Sequence, residues 1–205
     1  MKVLAFDCSA SRGSVAVVEG SEVLFAESFD CPRGRGGEFF PALERAMKAA
    51  GRPDRVAVGI GPGSYNGLRA AISAAEGLKL ATGAALVGIA SVEALPCDGG
   101  EYVVVNDARG GVFCYVKIRG REIVGGIELL NADAVAERLA AETAPIFTTA
   151  LIENLPQAGL GFPDAVILAR LGEGAKPGMG VLEPIYLKPA HITKPKQSGL
   201  RPGGK

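Results

Sequence analysis

Histidine is almost missing from this chain of 205 residues: there is one, His191, near the end. That argues against a histidine-rich metal site and against a Ser-His-Asp triad. Cysteine is sparse and scattered. Cys8, Cys31, Cys97 and Cys114 form no C-x-x-C pair, so a zinc knuckle is not expected and isolated reduced thiols are. Charge of either sign is not in excess, with 22 Lys and Arg against 22 Asp and Glu, which argues against a surface built to coat nucleic acid. No apolar run approaches the roughly 18 residues of a membrane span, and no basic stretch followed by a long apolar one stands at the start. The expectation is a cytoplasmic protein with no membrane partner. What is abundant is ordinary globular material, 48% hydrophobic and 21% charged, enough for one large or two small domains.

The most structured stretch is DRVAVGIGPGSYNGLRAAISAAEGLKLATG, from Asp54 to Gly83. It reads as strand 55–60, a glycine loop, then an alanine-rich helix capped by Ser64 or Asn66 and stopped by Gly83. Gly61, Gly63 and Gly67 allow either a ligand or another backbone to come close. The helix start would favour an anion, but Asn66 stands where a P-loop or a G-x-G-x-x-G motif needs glycine. A phosphate site and a bare strand-to-helix turn both remain open.

Around this centre, residues 2–8, 14–19 and 22–29 read as strands, with Asp7 ending the first and Ser9 in the turn. Residues 31–37 form a loop before a helix from Glu38 to Ala50, whose apolar stripe includes Phe39, Phe40, Leu43, Met47 and Ala50. The second helix carries Ala70, Ala71, Ala74, Ala75 and Gly77, a spacing that lets its own sheet or a partner helix pack close. Arg69 in its first turn is a cation at the wrong end of a helix, so a partner is expected, with Glu76 and Asp7 as candidates. A strand 84–89 and a short helix opened by Ser91 precede a linker at 97–101. The second half repeats the opening plan: strand, Asp107, turn with Arg109, strand. Asp107 and Arg109 read either as a brace for that turn or as contacts for a nucleotide or partner. Further strands at 112–118, 122–128 and 145–149 follow, with helices 131–141 and 164–172. The expected division is residues 1–98, residues 99–187, and a tail 188–205 with five Lys or Arg and no acid. That tail leaves 17 basic against 22 acidic residues in the body. It reads either as an arm that touches RNA phosphates or an acidic partner, or as a solvated end, the second because no aromatic interleaves its charges for base stacking.

Three stretches, GIGPGSYNGLR (59–69), LAFDCSASRGSVAVV (4–18) and VVNDARGGVFCYV (104–116), resemble the TsaB family of tRNA threonylcarbamoyladenosine biosynthesis proteins. The resemblance runs over nearly all of the chain up to Lys188. It implies an α/β fold of the actin-like, sugar-kinase-like kind (ASKHA, RNase H-like), with mixed sheets, flanking helices, two lobes and a truncated second lobe. It implies a non-catalytic scaffold that binds a TsaD-like catalytic subunit and a TsaE-like ATPase, meeting tRNA only through that complex and forming a homodimer alone. Phe39, Leu43, Met47, Arg69, Ala71, Ile72 and Ala75 would then supply the partner interface. Asp7, Ser9, Gly61, Gly63, Ser64, Asn66, Asp107 and Arg109 would support it, or touch ATP or ADP at a subunit joint. No intrinsic cofactor, metal or catalytic residue is expected. Gly36-Gly37-Glu38 stands where the family's catalytic paralogue keeps metal-binding histidines, which weakens any enzymatic reading further. Two alternatives are an autonomous ATP-dependent kinase or transferase and, more remotely, a peptidase. For the first, no paired carboxylates or phosphate-binding lysine is visible; for the second, no base is visible to activate a nucleophile.

Overall fold

A computed structural model describes residues 1–31, 37–98, 100–153, 155–177 and 180–187. Most of the loop before the first helix, Gly99 of the linker, and the whole tail with His191 lie outside the described residues.

The first half opens with three antiparallel strands, β1 (Lys2–Asp7), β2 (Arg12–Glu19) and β3 (Glu22–Asp30). Helix α1 (Phe39–Ala50) leads to β4 (Arg55–Gly59), and α2 (Tyr65–Thr82) leads to β5 (Ala85–Ile89). Both β4 and β5 run parallel to β1, giving the sheet order β3-β2-β1-β4-β5. Buried on both faces, β1 and β4 read as near-continuous apolar runs, as parallel neighbours do. Leu4, Phe6, Val56 and Val58 point to one face, where α1 and α2 cover them in one core. Val3, Ala5, Ala57 and Val87 point to the other.

A short 3-10 turn, Ser91–Ala94, links to the second sheet. Here β6 (Glu101–Asp107), β7 (Val112–Arg119) and β8 (Glu122–Asn131) are again antiparallel. Helix α3 (Ala132–Ala140) is capped by Asn131, whose Oδ1 accepts from the Ala134 N–H at 2.8 Å. Strands β9 (Ile146–Thr148) and β10 (Gly159–Leu160) then run parallel to β6 and to each other, giving the order β10-β9-β6-β7-β8. The two sheets therefore share one plan, strand for strand. Even the irregular register recurs, between Val17 and Val18 in β2 and between Val116 and Lys117 in β7. The second copy is shortened where α2 should stand: no helix joins β9 to β10 among the described residues. The two-residue β10 has no sequence expectation behind it.

The last helix among the described residues, α4 (Ala165–Gly174), comes from the second half of the chain but packs on the first sheet, with Ala165, Leu168 and Ala169 over Val3, Ala5 and Ala57. Asp164 caps it through two N–H groups, from Val166 at 2.7 Å and Ile167 at 3.2 Å. No helix among the described residues is long and apolar enough to cross a membrane.

Candidate functional site

The end of β1, the loop after β4 and the start of α2 meet at one point. Asp7 is fully buried there. Its Oδ1 accepts from the Ser9 N–H at 2.7 Å and the Ser9 hydroxyl at 2.6 Å, the behaviour of a strand-end carboxylate bracing its own turn. Its Oδ2 has no hydrogen-bond partner among the described residues; the Ser91 hydroxyl lies near it without reaching hydrogen-bond geometry. Burial pushes the Asp7 carboxyl above its ordinary pKa, and the Ser9 and Ser91 side chains only partly oppose this. Ser91, which the sequence suggested as a helix cap, accepts instead from the Gly61 N–H at 2.9 Å and is the first residue of the 3-10 turn, whose cap position Ala90 occupies.

The glycines of the loop are explained from within the chain. A Cβ on Gly63 would strike the backbone of Ser9, and one on Gly67 would strike the Cys8 carbonyl oxygen. A Cβ on Gly59 would collide with Asp7 itself. Of the three loop glycines named from the sequence, only Gly61 takes a positive φ, at 100°. The close approach that glycine permits is thus used by the turn after β1, and Ser64 N–H donates to the Ser9 carbonyl at 2.7 Å to seal it. Ser64, rather than Asn66, caps α2, accepting from the Gly67 N–H at 3.4 Å; Asn66 is exposed within the first turn.

Arg69 finds neither of its expected carboxylates. It donates to the Tyr65 hydroxyl at 2.9 Å, with its guanidinium carbon 5.3 Å from that ring's centroid. Asp7 is closed off by Ser9, while Glu76 accepts from the Leu182 N–H at 3.4 Å and lies 3.6 Å from the Lys79 ammonium. In the second half, Asp107 Oδ1 accepts from the Arg109 N–H at 2.6 Å, so the turn is braced through the backbone, with Arg109 at φ 66°.

The helix faces need a correction. Phe39, Leu43, Ala71, Ile72 and Ala75 are buried in the chain's own core, and Met47 is packed against it. The stripe spacing marks the inward side of each helix, because the sheet below α1 and α2 is what those residues cover. The outward side of α1 carries Phe40, 56% exposed, and that of α2 carries Ser73, Gly77, Ala81 and Leu80, the last 85% exposed. Phe40 stood in the sequence stripe; its position next to Phe39 rather than one turn away is the signal that it faces elsewhere.

A family model described as TsaD, tRNA N6-adenosine threonylcarbamoyltransferase, matches residues 38–154. No curated protein matches. Among solved structures, the chain is similar to an uncharacterized protein with similarity to peptidase YeaZ from Pseudomonas aeruginosa, at 24% identity and a TM-score of 0.71, covering 91% of this chain and 99% of that one. It is also similar to YeaZ from Pseudomonas aeruginosa, at 18% identity and a TM-score of 0.66, covering 84% and 90%. These likenesses establish the fold, two mixed sheets with flanking helices in the actin-like arrangement, with the second lobe shortened.

Proposed function

The chain belongs to the TsaD family, and from that membership we propose that it is a non-catalytic subunit of a tRNA-modifying assembly. In this reading it binds a TsaD-like catalytic subunit, joined by a TsaE-like ATPase, for threonylcarbamoylation of the adenosine next to the anticodon. The observation that carries the reading is the outer side of the helical layer. There α1 and α2 lie over the same sheet face, with Phe40 and Leu80 in solvent and small residues at Ser73, Gly77 and Ala81. Large apolar groups beside a low-relief helix surface suit a second helical layer. In the absence of the catalytic partner, a second copy of this chain would take the same place.

The loop supports a scaffold rather than a nucleotide enzyme, since its glycines pack on the chain's own backbone and Asp7 faces inward. Co-purification with a TsaD-like subunit tests the proposal. Complex formation is expected with the unaltered chain and lost in Gly77→Arg and Leu80→Glu, with unfolding midpoints no lower than the parent's. Failure of the unaltered chain to form the complex, or robust ATP turnover by the pure chain, would overturn it.

A further inference from the structure

After α4 the chain returns to the glycine loop as an extended segment, of which residues 180–187 are described. Leu182 N–H donates to Glu76 on α2, and Ile185 N–H donates to the Ile60 carbonyl at 2.7 Å. Ile185 and Leu187 turn inward, onto the core that holds Tyr102 and Val104. Alternation along an extended segment then sends Tyr186 outward. Its ring stacks on Tyr65, with centroids 5.1 Å apart and planes at 27°. Both residues keep part of their surface in solvent, Tyr65 at 41% and Tyr186 at 45% exposure. Arg69, which donates to the Tyr65 hydroxyl, lies over the Tyr65 ring with its guanidinium carbon 5.3 Å from the centroid, so the pair carries a cation and Tyr186 supplies the ring at its outer end.

Two exposed stacked rings with a guanidinium at their side have a definite chemistry. A flat π surface accepts the face of any unpaired base, and the cation meets the adjoining phosphate. The charge that follows fits the same ligand. Glu183 is the exposed acid on this segment, but beyond Leu187 the sequence carries Lys188, Lys194, Lys196, Arg201 and Lys205 with no acid. The basic run itself contains no aromatic; Tyr186 precedes it by two residues in the sequence, and the fold sets Tyr65 against Tyr186.

We propose that Tyr65, Tyr186 and Arg69 form a stacking platform for an unpaired base of single-stranded RNA. The proposal rests on the tRNA-modification reading above and adds a direct RNA contact to it. Fluorescence anisotropy with the full chain and a labelled single-stranded RNA of about 12 nucleotides tests it, with the same RNA annealed to its complement as control. The single strand should bind more tightly than the duplex. Tyr186→Ala should weaken single-strand binding about 5- to 150-fold, and Tyr186→Phe should retain it. Equal binding by Tyr186→Ala and the unaltered chain, equal binding of strand and duplex, or no binding of the strand would each overturn the platform. So would loss of the TsaD-like partner in Tyr186→Ala with RNA binding intact, which would make the rings a protein contact. If instead the partner never binds while RNA binding depends on Tyr186, the scaffold reading fails and the platform stands.

Discussion

Asp7 is wholly buried with one carboxyl oxygen paired to Ser9 and the other unpaired among the described residues. Burial holds its folded pKa above the unfolded value of about 3.9. With that sign, its contribution to stability is complete below about pH 4 and is lost as pH rises through the folded value. Asp7→Asn keeps the shape and removes the titration. Urea unfolding at a series of pH values from about 4 upward should show the variant gaining on the parent as pH rises, by up to about 1.4 kcal/mol per pH unit inside the window. Parallel curves for the two proteins would place the titration on another group. At this scale the sequence revealed a strand-end aspartate followed by a polar turn. It concealed the nearness of Ser91, because that depends on how β5 lies beside β4 and not on any local spacing. Arg69 shows the same dependence on the fold: charge rules point to a carboxylate, and an aromatic hydroxyl one turn away takes its place.

Helix α2 holds two glycines with opposite roles. Gly67 lies against the Cys8 carbonyl, whereas a Cβ on Gly77 meets nothing within 4 Å. Gly67→Ala should therefore destabilise the protein by about 1–3 kcal/mol through overpacking. Gly77→Ala should stabilise it by about 0.5–1 kcal/mol, since a helix-interior glycine carries only an entropic cost. Chemical denaturation of both variants checks the contrast, and a similar loss in both would refute it. The boundaries of α1 and α2 were legible because capping serine, stop glycine and loop residues mark them. The facing of α2 was not, because alanines occupy several sides of the helix and give its apolar pattern little phase. Helix ends show a further regularity that sequence order hides. Lys2 reaches the Ala50 carbonyl, Arg52 the Thr82 carbonyl, and Arg55 the carbonyls of Gly172, Glu173 and Ala175. Each cation thus sits at the negative end of a helix supplied by a distant segment.

Across the whole molecule, Arg121 joins the halves. It sits in the β7–β8 turn at φ 69°, unusual for a residue with a side chain. Its guanidinium donates to the carbonyls of Glu93, Leu95 and Cys97, along the link between the sheets. Arg121→Ala keeps a residue with a side chain at this positive φ while removing the clasp, so it isolates the clasp from the turn. Stability should fall by about 1–3 kcal/mol, and amide hydrogens of residues 91–98 should exchange faster. Unchanged exchange there would show the link to be held by other contacts. The duplicated plan was legible in the paired openings at Asp7 and Asp107. The crossing of α4 to the first sheet was not, since an apolar helix does not announce which surface it covers. That crossing has a bearing on biosynthesis. While the ribosome is still making the second half, Val3, Ala5 and Ala57 of the emerging chain have no cover on one side. The N-terminal half must wait, half-clothed, for α4 to leave the exit tunnel, so a nascent chain stalled before residue 165 should be the species that chaperones hold.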